Sequence, residues 1–121
     1  MRFRDVMAVA IAAATSLLTA ACGEGDNKSV AADPAVVARG KALFTGTCGA
    51  YCHKMTPSNS DALYLFDCDW KHGSTDEDIF RVINEGVENT RMVAFGGAFP
   101  EGDNDTRALV AYLRSASECK K

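Results

Sequence analysis

The sequence predicts a small all-α domain of three main helices joined by long loops, and three observations predict it. Apolar residues recur at helical spacing in three short segments, each with its own capping residues. No stretch shows the sustained alternation of a strand. The segments between the helices are long and rich in Gly, Pro, Ser and Asn.

The first helix is expected from Pro34 to Thr45. Asp33 supplies an N-cap carboxylate, and Pro34 occupies a first position that needs no amide hydrogen. Val36, Val37, Gly40, Leu43 and Phe44 then recur at helical spacing. Residues 54–74 carry Pro57, Asn59 and Gly73 around an apolar knot at Leu63–Phe66, and read as an ordered loop with at most short helical turns. Thr75 followed by Asp76, Glu77 and Asp78 gives a capping hydroxyl and an acidic first turn, and Gly86 a stop, so the second helix spans Asp76–Glu85. A second long loop, Val87–Asp103, carries Met92, Phe95, Gly96, Gly97 and Pro100. Asp103 or Asn104 caps the last helix, whose stripe of Leu109, Val110, Tyr112 and Leu113 runs to about Ala116. A domain of roughly 85 residues built this way buries little apolar surface by itself, and loops so long need something to wrap.

Ahead of this domain the chain divides into a signal peptide over 1–21 and a flexible tether over 22–33, leaving 34–121 as the folded unit. Arg2 and Arg4 precede a mostly apolar run from Val6 to Leu18, too short for a comfortable transmembrane span. The stretch Leu18-Thr19-Ala20-Ala21-Cys22 fits the pattern at which bacterial lipoproteins are cut and lipidated, which makes Cys22 the expected lipid attachment point; cleavage nearby without lipid is the alternative. The expected location is the periplasm or cell envelope, with the lipid as the link to a membrane. The full chain has a net charge of −3; without residues 1–21 it holds 11 basic and 15 acidic residues, a net charge of −4. A mildly acidic surface argues against nucleic acid as a partner.

The chemistry is concentrated in Cys48-Gly49-Ala50-Tyr51-Cys52-His53. Two cysteines followed at once by a histidine can hold a haem covalently: each thiol adds across a vinyl group, and the imidazole serves as axial iron ligand. The usual spacing is C-x-x-C-H, and this chain has one residue more. Gly49 and Ala50 are small enough to let the loop pucker around the extra residue, with Tyr51 over the haem edge. Structural zinc is the other use for such residues, but it needs separated ligand pairs, and only Cys68 and Cys119 remain to complete a set. In an oxidising compartment those same two cysteines form one disulfide instead. Closing that loop of roughly 50 residues contributes on the order of 3–4 kcal/mol by the chain-entropy estimate.

From about Pro34 to Ser117 the chain resembles the class I c-type cytochromes. The likeness rests on a first helix ending in the attachment motif, a methionine loop at Arg91-Met92-Val93-Ala94-Phe95-Gly96, and a closing helix with Leu-Val-Ala-Tyr-Leu-Arg, residues 109–114. Gly40 and Phe44 match the positions at which the family's first helix crosses its last, with Leu109 and Tyr112 on the other side. The resemblance implies the small cytochrome c fold wrapped around one covalent haem c, held through Cys48 and Cys52, with His53 and Met92 as axial iron ligands. His72 is the competing ligand and would lower the reduction potential. Met55, two residues past His53, is too close to reach the other haem face. Trp70, Phe66, Tyr64 and Phe95 are candidates for the pocket wall.

The function implied is that of a monomeric one-electron carrier rather than an enzyme. Its redox partners would be a dehydrogenase, such as one of the quinoprotein class, or a respiratory complex on one side, and a terminal oxidase or another carrier on the other. The alternatives are a haem enzyme or sensor that opens a coordination position, and a fixed haem subunit of a quinoprotein dehydrogenase complex.

Overall fold

A computed structural model describes residues 33–119. The expected signal peptide, Cys22 and all of the tether but its last residue lie outside them. Helix α1 spans Pro34–Leu43, and the Asp33 carboxylate accepts from the Ala35 amide at 2.9 Å to cap it. Helical structure does not end at Thr45. It widens into a π-helix over Phe44–Gly49 and closes with a further turn through Tyr51.

Helix α2, Asp76–Glu85, begins with a reciprocal cap: the Thr75 hydroxyl accepts from the Asp78 amide at 3.1 Å, and the Asp78 carboxylate accepts from the Thr75 amide at 3.1 Å. It ends at Gly86, whose φ of 73° suits a residue without a Cβ. Helix α3, Asp103–Ala116, is capped by neither Asp103 nor Asn104. Gly102, at φ 54°, takes the cap position without a side-chain bond, which makes Asp103 the first helical residue. The side chain serving this end is Asp105, which accepts from the Glu101 amide at 3.0 Å.

Among the described residues there is no strand, only an isolated bridge between Lys71 and Gly73. No helix among them is long and apolar enough to cross a membrane. The architecture of the described residues is all-α, as the sequence predicts.

The central contact is the crossing of α1 and α3. A Cβ added at Gly40 would lie 1.9 Å from the Ala108 carbonyl oxygen and 2.8 Å from Tyr112 Cβ, so the two helix backbones meet where only glycine fits. One turn on, Phe44 is 1% exposed and packs between the rings of Tyr112, at 5.5 Å, and Phe66, at 5.4 Å. Leu109 is equally buried, but the close approach itself belongs to Ala108. The same helix pair is tied by Arg39, which donates through Nε and Nη2 to the two carboxylate oxygens of buried Asp105 at 2.8 and 2.9 Å.

Helix α2 is fastened to α3 by Arg114 on Asp76 at 2.7 Å, by Arg107 over the Phe80 ring, and by Thr106, whose hydroxyl donates to Asn84 Oδ1 at 3.0 Å. The tail after α3 folds back: the Glu118 amide donates to the Phe66 carbonyl at 2.8 Å, and a disulfide joins Cys68 to Cys119, Cα to Cα 5.2 Å.

Two predictions follow from these contacts. Gly40→Ala places a methyl group inside a backbone contact and is expected to destabilise the protein by about 1–3 kcal/mol or more, read from denaturant unfolding. Arg39 holds the Asp105 carboxyl below the usual carboxylate range, chiefly by direct hydrogen bonding. A lowered folded pKa stabilises above the unfolded value near about 4 and is lost as pH falls through the folded one. Arg39→Met should therefore lose stability at pH 7, with the gap to the parent narrowing as pH drops below about 4; a gap independent of pH would refute the assignment.

Candidate haem site

Helices α2 and α3, the end of the first helical run and the two long loops line a cavity of about 530 Å³, within the range of about 300–1,000 Å³ usual for cofactor sites. Helix α2 contributes Ile79, Val82 and Ile83 to its wall, and α3 contributes Leu113. The loop after the π-helix adds Leu63, Leu65 and Trp70, and the loop after α2 adds Val87 and Met92. The lining is predominantly apolar, as a buried porphyrin requires.

Cys52 and His53 enter this wall from the end of the first helical run. The π-helix over Phe44–Gly49 lies immediately before them, and the His53 amide donates to the Cys48 carbonyl at 2.9 Å, five residues back. The extra residue between the cysteines is therefore taken up within a widened, hydrogen-bonded turn rather than by a pucker of Gly49 and Ala50. Tyr51 points away and is 77% exposed.

The His53 ring is oriented by its other nitrogen. Nδ1 lies 2.7 Å from the Leu63 carbonyl oxygen, which can only accept, so Nδ1 carries the proton and Nε2 keeps its lone pair free for a metal. Leu63 also lines the cavity, so one residue both shapes the pocket and sets the imidazole.

Met92 is placed by a compact turn. The Val87 amide donates to the Met92 carbonyl at 2.9 Å, the Met92 amide donates to the Thr90 hydroxyl at 3.1 Å, and that hydroxyl donates to the Val87 carbonyl at 2.8 Å. Asn89, at φ 59°, turns the chain between them. A Cβ on Gly86 would lie 2.5 Å from the Met92 carbonyl oxygen, so the end of α2 presses directly on the methionine turn. Beyond it, the Phe95 and Gly96 amides donate to the Ile83 and Asn84 carbonyls at 3.0 Å each, using the free carbonyls at the end of α2.

The remaining candidates fall in different places. Cys48 is a free thiol packed against the hydrophobic core beside the cavity rather than in its lining, and burial pushes its pKa up to about 11. Cys52 is also free. His72 shares the cavity wall with Trp70, whereas Met55 is exposed and outside it. Of the four aromatic residues considered for the wall, only Trp70 lines it. Phe66 lies in the core with Tyr64 against it, and Phe95 stacks on Phe99 at 5.8 Å.

Sequence reasoning missed Asp61 and Arg91. Both line the cavity and form an ion pair at 2.8 Å that links the loop holding His53 to the loop holding Met92. No periodicity or motif marks a pair 30 residues apart.

The residues present fit a haem: an apolar cavity of suitable size, an imidazole with Nε2 free, a thioether side chain among the lining residues, and an unpaired cysteine next to the histidine. Zinc has no comparable donor set. Among the described residues no three His, Cys, Asp or Glu side chains gather as a metal-holding group, and Cys68 and Cys119 are joined to each other.

No curated protein and no solved structure matches the chain. The family model described as cytochrome c oxidase, cbb3-type, subunit III matches residues 35–113, which run from the second residue of α1 into α3 and include Cys48–His53 and the Met92 loop. By that match and by its all-α fold, the chain belongs to this family of c-type cytochromes.

Proposed function

We propose that the chain is an exported monohaem cytochrome that carries single electrons between a dehydrogenase or respiratory complex and an oxidase or a further carrier. The observation that carries this reading is the meeting of His53 and Met92 on one apolar cavity, each held by its own backbone hydrogen bonds. Haem, when bound, supplies a one-electron iron couple, and Cys48 and Cys52 are the residues to hold it covalently.

The part played by the protein is to fix the ligands and exclude water. His53 offers Nε2 because Leu63 occupies Nδ1. Met92 offers a soft, neutral sulfur, which favours the ferrous state and raises the potential relative to a second histidine. With both positions filled, no coordination site is left for a substrate, which suits a carrier better than an enzyme or gas sensor. His72, which also lines the cavity, supports a second reading, with bis-histidine ligation and a lower potential.

The acidic balance of the chain suits a partner with a basic docking face, an attraction that salt would weaken. The description of the matched family, an oxidase subunit, supports a terminal oxidase as the electron acceptor, reached either by diffusion or from a fixed place in the complex. Lipidation at Cys22 would keep the protein at a membrane surface of the cell envelope, and metabolic labelling with a fatty-acid analogue tests it: the mature protein should take up label, and an unlabelled mature protein refutes the anchor.

Absorption spectra of the exported protein, oxidised and reduced, test the central reading. A six-coordinate low-spin haem that does not bind carbon monoxide when reduced is expected; ready binding at neutral pH would move the assignment to an enzyme or sensor. Met92→Ala should lower the reduction potential and allow carbon monoxide to bind. An unchanged spectrum and potential in that variant, together with their loss in His72→Ala, would transfer the ligand role to His72.

A further inference from the structure

The span from Cys48 to His53 is one residue longer than in C-x-x-C-H, and the helix widens where that span begins. The Cys52 and His53 amides both donate to the Cys48 carbonyl, at 3.0 and 2.9 Å, so the turn closes at four and at five residues on one acceptor. In α geometry a residue five positions on lies about 140° round the axis. A turn closed by an i→i+5 bond brings that residue back towards the azimuth that the fourth residue has in an α-helix.

We propose that the helical run from Phe44, widened over Phe44–Gly49 and closed on the Cys48 carbonyl by the His53 amide, is the positioning element for haem attachment in this chain. It absorbs the extra residue as a hydrogen-bonded turn, so that Cys48, Cys52 and His53 keep the disposition that the shorter span has in an ordinary α-turn. The proposal rests on the reading of the chain as a covalent haem protein. In each attachment a sulfur–carbon bond forms at a vinyl group and the thiol proton ends on the neighbouring vinyl carbon, so no oxidant is consumed.

Packing agrees with this assignment. A Cβ at Gly49 would stand 3.3 Å from the Phe44 carbonyl oxygen and 3.4 Å from its ring, so the widened turn closes directly on the most buried aromatic of the helix crossing. Ala50 and Tyr51 remain helical and exposed, which turns the added bulk towards solvent. A loose loop would accept further residues, whereas a hydrogen-bonded turn accepts one: the helical repertoire includes i→i+4 and i→i+5 closure but nothing wider.

Two variants of the full exported chain test this, with thioethers counted from the pyridine haemochrome band and from the mass of the haem peptide. Deletion of Ala50 should leave two thioethers and the oxidised and reduced spectra of the parent. Insertion of one glycine after Ala50 should cost at least one thioether. Two intact thioethers in the insertion variant, or a lost one in the deletion variant, overturn the proposal. Should the insertion variant fail to accumulate, the deletion variant decides alone. A parent chain without any thioether overturns the haem reading itself, and this inference with it.

Discussion

The close approach of α1 to α3 at Gly40 is the constraint on which the rest of the molecule depends. Where the Ala108 carbonyl occupies the space of a missing side chain, the helix axes are drawn together, and the rings of Phe44 and Tyr112 interlock beside the contact. Cys48, Cys52 and His53 follow Phe44 in one nearly continuous helical run, so their position is set by how α1 docks. The face of α3 beyond the crossing supplies Leu113 to the cavity, and α2, fastened to α3 through Asn84 and Thr106, supplies the adjoining wall. One backbone contact thereby fixes both the helix that carries the candidate attachment residues and the wall opposite Cys52 and His53.

The loops are held by the helices rather than by each other. The methionine turn is closed by hydrogen bonds within Val87–Met92 and seated on the end of α2 by Gly86, Ile83 and Asn84. The loop carrying Leu65 and Trp70 is held at its far end by the Glu118 amide, by the disulfide, and by the Arg114 guanidinium over the Trp70 ring at 5.5 Å. Among the described residues the exposed Asp61–Arg91 pair is the one side-chain link directly between the two loops, and an exposed pair contributes little, on the order of 0–1 kcal/mol. The shape of the cavity therefore rests on backbone bonding and packing.

What was legible in the sequence were features whose cause is local. Thr75 with Asp78 marks the start of α2 and Gly86 its end, because capping chemistry lies within a few residues of the boundary. The same logic misplaced the cap of α3. Asp103 has an ideal capping side chain, yet the competing demand of Asp105 for Arg39, in a helix far away in sequence, sets how the chain enters. The Leu63 carbonyl that orients His53 could not be read at all, since any residue has a carbonyl and only the fold selects one. The widening at Phe44–Gly49 was legible as an extra residue but not as a helical feature, because a count of positions does not tell a puckered loop from a wider turn.

The two candidate iron ligands illustrate how such a site acquires rigidity without regular structure around it. Neither His53 nor Met92 lies within one of the three α-helices, yet each is fixed by backbone groups one step behind it: the Leu63 carbonyl for the imidazole, the Val87 and Thr90 groups for the methionine. Ligand side chains are held well when their supports are themselves hydrogen-bonded and packed. A centre that must alternate between two oxidation states gains from this, because ligands that stay in place need no rearrangement when the charge on the metal changes. The arrangement also accounts for the length of the loops: a short connection could join the helices, but it could not bring a carbonyl to one ligand and a closed turn to the other.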